Sequence, residues 1–242
     1  MSAKNTNEWV LEYNNNPDER LMLLSLKEKG ANSAEINPYT FEYEDYNGTE
    51  KYDKSSNKLP GYNSTYLDHW GYYNGANSEI TGFDNATLSA YYDKRNASED
   101  YMYAAQLNKI NYPTGETVEF TYEPNNYSTL IKRNVETGAF EQETYTSPIT
   151  GGGLRIKKIE YKDGGTVKSE KSYTYSKGIL GQEIKYYWPN YVGTTYGYNK
   201  KEYSTYTSDR FISENLLPGC GGLDYTISYP KVEEKVTGAG IT

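Results

Sequence analysis

Aromatic residues on every second position constrain this chain more than any other feature. In Tyr39-Thr40-Phe41-Glu42-Tyr43-Glu44 the odd positions are aromatic and the even ones polar. Val118, Phe120 and Tyr122 alternate with Glu119, Thr121 and Glu123, Tyr173 and Tyr175 flank Thr174, and Trp9, Leu11 and Tyr13 share one parity. A period of two marks strands with one packed face and one wet face, the usual condition of an antiparallel sheet. The sequence holds 29 Tyr against 5 Phe and 3 Met, so tyrosine stands where most proteins use leucine or phenylalanine. A tyrosine ring buries a large apolar area while its hydroxyl reaches water or a polar partner. The expectation is that tyrosine rings form much of the core. Disorder is the other reading of a chain only 36% hydrophobic, and the aromatic content argues against it.

Turn chemistry joins the alternating runs into hairpins. Pro113-Thr114-Gly115-Glu116 lies between 106–112 and 117–123, and Lys162-Asp163-Gly164-Gly165 lies between 154–161 and 166–175; both are hairpin signals. Parity slips between Ile156 and Ile159, which predicts a β-bulge. A third hairpin is expected between 20–29 and 38–44, with Leu21-Met22-Leu23-Leu24-Ser25-Leu26 read as strand rather than helix. Further strand signals fall at 186–188, 202–206, 210–217 and 223–236. Residues 45–104 are dense in Asn, Ser, Gly, Asp and Tyr. A structureless loop of that length is uncommon in a compact domain. The stretch is therefore read as a long, partly helical or irregular insertion, with a short helix expected at 97–106. The fold class is mostly β: an antiparallel hairpin or meander sheet array carrying that insertion at about 45–104. It is taken as one unit over 1–242, with a subdivision near 100 as the alternative.

Composition removes several function classes. One Cys and one His exclude a disulfide framework within the chain and any Cys-cluster or multi-histidine metal site. No apolar run of about 18 residues exists to cross a bilayer as a helix. With 25 basic and 33 acidic side chains the net charge is -8, which argues against nucleic acid as a partner. No cofactor and no metal are expected. The first residues, Met1-Ser2-Ala3-Lys4-Asn5-Thr6-Asn7, lack the apolar centre of a signal peptide. The last, Thr237-Gly238-Ala239-Gly240-Ile241-Thr242, are turn-like after a strand. They predict a truncation inside a hairpin and an edge strand open to self-association.

Four blocks in order carry a family resemblance. They are Asp68-His69-Trp70-Gly71-Tyr72-Tyr73-Asn74-Gly75; Lys109-Ile110-Asn111-Tyr112-Pro113-Thr114-Gly115 with Val118 through Asn125; Gly151-Gly152-Gly153-Leu154-Arg155-Ile156-Lys157-Lys158-Ile159; and Ser228-Tyr229-Pro230-Lys231-Val232-Glu233-Glu234. Together they resemble the Rhs/YD-repeat-like surface proteins of Bacteroidetes. The first sixty-odd residues match by strand pattern only. His69 stands where the family commonly has Tyr, and Glu116 follows a turn that often continues with a second Gly. The resemblance implies a segment of a large secreted or outer-surface protein built from repeated hairpins. In such relatives the hairpins wind into a long sheet or shell, sometimes around a C-terminal toxin; no toxin sequence is visible here. The implied role is non-catalytic, structural or adhesive, in an extracellular or outer cell-surface location with the signal peptide upstream. Glycans or other surface proteins are the implied partners.

Among candidate sites, Asp68, His69, Trp70, Tyr72 and Tyr73 form the densest cluster. A Trp/Tyr platform flanked by Asp and Asn suits stacking on a sugar ring, the alternative reading being a carbohydrate-binding module. The structural reading is that the same rings anchor a long loop onto the sheet, with Gly71 and Gly75 shaping its backbone. Catalysis is the weakest reading. His69 has no assured partner, and Cys220, in Pro218-Gly219-Cys220-Gly221-Gly222, has no other histidine to activate it. Gly151-Gly152-Gly153 is not a phosphate loop, because a basic strand follows it instead of a helix. Lys157, Lys158, Lys162, Lys168 and Lys171 are read as an edge guard against aggregation rather than an anion site. Acidic groups at Glu42, Glu44, Asp45, Asp84, Asp93, Glu99 and Asp100 leave a surface calcium open, although no D-x-[DN]-x-[DN]-G loop is present.

Overall fold

The computed structural model describes residues 8–14, 20–29, 37–44, 65–78, 84–134, 137–184, 187–196, 203–211 and 227–238. The alternating runs become strands. β1 (Glu8–Tyr13), β2 (Leu23–Lys29) and β3 (Tyr39–Tyr43) precede one helix, α1 (Asn85–Asp93). After it come β4 (Leu107–Asn111), β5 (Glu116–Arg133), β6 (Phe140–Asp163) and β7 (Thr166–Tyr175). The chain continues through β8 (Ile179–Leu180), β9 (Tyr187–Tyr196), β10 (Tyr203–Phe211), β11 (Ile227–Ser228) and β12 (Val232–Gly238). The main sheet is an open antiparallel meander in the order β1-β2-β3-β4-β5-β6-β7-β12. β8 joins it in parallel to β5 and carries β11, while β9 and β10 form a separate two-stranded sheet.

The expected hairpins are present: β2 with β3, β4 with β5, and β6 with β7. Leu23 to Leu26 is strand, as its short length and flanks required. Thr121 faces Lys158 and Tyr122 faces Ile156, so Lys157 is the extra residue of the bulge read from parity. Two wider bulges lie further along β6. Asn125 alone stands opposite Gly151, Gly152 and Gly153, and Ser128 alone opposite residues 145–148. They bend the long β5–β6 hairpin, and the insertion docks where they occur.

A tyrosine closes each of the three hairpins in the same way. The Tyr43 hydroxyl donates to the Leu23 carbonyl at 2.9 Å. Tyr122 donates to Leu107 O at 2.6 Å, and Tyr175 to Ile156 O at 2.6 Å. Each bond runs from the second strand of a hairpin back to its first. Each tyrosine sits in the same local pattern, aromatic-polar-Tyr: Phe41-Glu42-Tyr43, Phe120-Thr121-Tyr122 and Tyr173-Thr174-Tyr175.

The core differs from expectation. β1, β3, β7 and β12 contain no fully buried side chain. Among the described residues Tyr127 is the single tyrosine in the buried class, and it packs with Leu130 and Leu180. The other described rings are half-buried or, like Tyr66, Tyr72, Tyr161 and Tyr206, exposed, because the sheet is open and most strands have water near both faces. Tyrosine tolerates that position, since ring and hydroxyl are satisfied separately.

The lysines also differ from expectation. Glu42, Lys109, Glu119, Glu160 and Glu170 stand directly opposite one another across β3 to β7. Lys109 lies 3.5 Å from Glu42 and 3.9 Å from Glu119, and Lys162 reaches Glu119 and Glu160. Lys158 reaches Glu160 at 3.1 Å and Glu170 at 4.0 Å, and Lys171 reaches Glu234 at 3.9 Å. Lys158 and Lys162 therefore each sit between two carboxylates inside the sheet, where cross-strand neighbours would otherwise repel, and Lys171 pairs with one on β12. They are not edge guards.

Within the insertion the helix lies at Asn85–Asp93 rather than at 97–106, which is a series of turns. Asp84 caps it, accepting from the Thr87 amide at 2.9 Å and the Thr87 hydroxyl at 2.7 Å. Local side-chain capping of the first free N–H groups thus decides the start. Among the described residues no helix is long and apolar enough to cross a membrane.

Candidate functional site

The cluster at 68–75 folds around its own aspartate. Asp68 is fully buried, and its Oδ1 accepts from the amides of Trp70 and Tyr72, both at 2.8 Å. The Asp68 amide donates to Tyr72 O, and Gly71 takes a φ of +88° to complete the turn. Burial pushes the Asp68 carboxyl up to about 6, against the opposing pull of the Tyr72, Trp70 and Gly71 amides and the Arg95 charge. Asn74 then ties the turn to the chain beyond α1, its Nδ2 donating to Lys94 O at 2.8 Å and Asn96 O at 3.0 Å. Arg95 donates to Asp68 O at 2.8 Å, and the His69 amide donates to Arg95 O at 2.8 Å.

The triple glycine is the seat for this turn. A Cβ on Gly152 would stand 2.4 Å from Trp70 Cβ, and one on Gly153 would stand 2.5 Å from Tyr72 Cζ. Only bare backbone lets the rings approach so closely. On the other flank, a Cβ on Gly151 would strike Ile227. The run Gly151-Gly152-Gly153 is thus a docking surface for side chains.

Above this seat lies a cleft of about 380 Å³. The turn supplies His69 and Trp70, and the end of α1 and its exit supply Tyr92, Asn96 and Ala97. β5 supplies Tyr127, Leu130 and Lys132; β6 and its wide bulge supply Tyr145, Ile149 and Thr150; Leu180, Glu183 and Ile184 close the far side. The floor is the buried cluster of Tyr127, Leu130 and Leu180, with Trp70, Tyr145 and Ile149 packed on it. Tyr127 and Tyr145 meet edge-to-face at 6.1 Å. The His69 ring lies 4.6 Å from Tyr92 and 6.2 Å from Trp70. Burial, with the Arg95 charge second, holds His69 down at about 4, so its imidazole is neutral at ordinary pH. Lys132 pairs with Glu143, which raises the lysine and lowers the glutamate.

Of the five residues singled out from sequence, His69 and Trp70 line the cleft. Asp68 lies beneath, holding the turn; Tyr72 is seated on Gly153; Tyr73 packs edge-on against Tyr101 at 5.5 Å. Spacing gave no sign of Tyr92, Asn96, Tyr127, Tyr145 or Glu183, which converge from four separate stretches. Glu183 is the one carboxylate among the described residues lining the cleft. Four of the acidic groups considered for calcium have other partners: Glu42 with Asn111, Glu44 with Asn108, Asp84 at the helix cap and Glu99 with Thr150. No three His, Cys, Asp or Glu side chains gather for a metal among the described residues. Cys220 and Asp45 lie outside the described residues.

No protein-family model, no curated protein and no solved structure matches the chain.

Proposed function

We propose that this chain is a non-catalytic structural and adhesive segment of a secreted or cell-surface bacterial protein, built as an Rhs/YD-repeat-like hairpin array. The observation that carries the reading is the repeated closure. Three successive hairpins carry the same aromatic-polar-Tyr pattern and spend the tyrosine hydroxyl on the same kind of cross-strand bond. A unit that recurs in this way, and that buries little by itself, is stabilised by its neighbours as in other repeat architectures. The open sheet agrees with that reading. β12 ends the strand order, and among the described residues no strand lies on its outer side. A free edge of this kind is a template for a further strand.

The test is surface proteolysis of the native bacterium carrying an epitope-tagged copy of the gene. The surface reading expects the tag to be shaved from intact cells. Protection in intact cells, with digestion only after lysis, overturns it.

A further inference from the structure

We propose that the cleft between the 68–75 turn, the end of α1 and the bent β5–β6 hairpin binds a neutral saccharide of one or two rings. The inference stands on the cleft and not on the surface-protein reading. Its volume, about 380 Å³, lies at the small end of the range for ligand pockets, roughly 300–1,000 Å³.

The chemistry of the walls selects the ligand. Trp70, Tyr92 and Tyr145 line the walls and the buried Tyr127 lies in the floor, an aromatic lining that suits the apolar C–H face of a pyranose. The rim offers hydrogen-bond acceptors. The Asn96 amide spends its Nδ2 on Asp93 O, leaving Oδ1 to accept. Thr150 donates its hydroxyl proton to Glu99 at 2.7 Å, leaving lone pairs. Glu183 adds a carboxylate. A ring bearing several hydroxyls supplies the protons these acceptors need.

The same rim disfavours other ligands. An anion would meet Glu183 and the spare acceptors, while the nearby cation, Lys132, is already paired with Glu143. A cation would find one carboxylate, Glu183, and no second acidic side chain among the described lining residues to share its charge. A purely apolar ligand would strip water from Asn96, Thr150 and Glu183 and return no hydrogen bond, which is costly for each group. The walls are also fixed before binding. The Tyr92 hydroxyl is bonded to Ile184 O at 2.5 Å, and Trp70 is held on Gly152. Little ordering remains to be done when a ligand arrives.

The experiment uses the full chain in affinity electrophoresis and titration calorimetry. The neutral probes are cellotetraose, laminaritetraose, mannotetraose and chitotetraose, with polygalacturonate as an acidic probe. The expected result is binding of at least one neutral probe that survives 0.5 M salt. Tyr145→Ala should weaken it at least about tenfold by removing one ring wall. Phe140→Ala, at a ring 73% exposed and outside the cleft, should not change it. If Tyr145→Ala fails to fold, Glu183→Gln, which keeps shape and removes an ionic acceptor, should weaken binding of the same probe. Three results overturn the proposal: no neutral probe retained, retention of polygalacturonate alone with loss in salt, or retention unchanged in folded variants of the cleft.

Discussion

Replacing Tyr122 by Phe removes one oxygen and leaves the ring in place. The phenol donates to the carbonyl of Leu107, the first residue of β4, at 2.6 Å, and both partners are half-buried. Burial, the larger influence, raises the Tyr122 pKa above 10.0, so the bond is intact through neutral pH. Loss of such a bond costs about 0.5–1.5 kcal/mol net, with the upper end reached when a half-buried carbonyl is left unpaired. For a chain of 242 residues each kcal/mol is worth about 2–4 °C in melting temperature. Tyr122→Phe should therefore lower Tm by about 1–6 °C. Because the same bond recurs, Tyr43→Phe and Tyr175→Phe should fall in the same range. Tyr206→Phe, at an exposed ring, should stay within about 0.5 kcal/mol of the parent. The alkaline limb gives a second reading. Burial, the first cause in each case, raises the pKa of Tyr43, Tyr122 and Tyr175 above 10.0. The stability they contribute is present below pH 10 and lost as pH rises through their folded pKa values. Each Phe variant should flatten part of that loss. Thermal melts by circular dichroism decide the matter. If Tyr122→Phe and Tyr175→Phe match the parent within error while the proteins remain folded, the closing bond is not what holds the hairpins.

Other expectations follow from the same geometry. Gly152→Ala should cost about 1–3 kcal/mol by overpacking, because the new methyl meets Cβ and Cγ of Trp70, atoms that cannot swing aside; Gly181→Ala, in open space, should be neutral in the same melts. Asp68 and His69 should give opposite pH signatures. Asp68, raised by burial from 3.8 to about 6, contributes stability that is lost as pH rises across that window; His69, lowered by burial from 6.5 to about 4, contributes stability that is lost as pH falls across its own. Each shift of about two pH units is worth on the order of 3 kcal/mol. Relative to the parent, Asp68→Asn should gain stability from pH 4 to 6 and His69→Gln from pH 6.5 down to 4, read by urea titration at each pH; equal slopes in both variants would contradict the burial of the pair. Arg155 lies 4.5 Å from the Tyr175 ring centre and 4.6 Å from that of Tyr229, with Nε bonded to Glu123 at 2.7 Å. Arg155→Lys should lose about 1 kcal/mol or more, since an ammonium cannot stack flat between two rings; an unchanged urea midpoint would show that the stacking adds nothing.

The strands were legible where the period of two was uninterrupted, as at Tyr39–Tyr43 and from Val118 to Tyr122. The turns at 113–116 and 162–165 were legible because proline fixes φ and glycine reaches the positive φ that Gly115, Gly164 and Gly165 adopt. The bulge at Lys157 announced itself as a parity slip. The helix was missed because its signal is a single cap, Asp84 with Thr87, ahead of a sequence with almost no apolar stripe. The wide bulges at Gly151–153 and 145–148 were hidden because bulge width depends on what docks there, and Trp70 is some eighty positions away. The ion-pair row across β3 to β7 needs register, which alternation alone does not supply. The cleft was half-seen for the same reason. Trp70 and His69 were prominent in one short block, while Tyr92, Tyr127, Tyr145 and Glu183 come together only through the bent hairpin.

The central claim is that the sheet belongs to a longer hairpin array, and hydrogen exchange at β12 tests it most directly. Val232–Gly238 pairs with β7 along one side, so in the isolated 242-residue chain its outward amides should exchange quickly. The proposed array expects those same amides to become protected in the intact protein isolated from the native cell, where a next strand would pair with them. Equal exchange in the two preparations would contradict the array and leave β12 as a true edge.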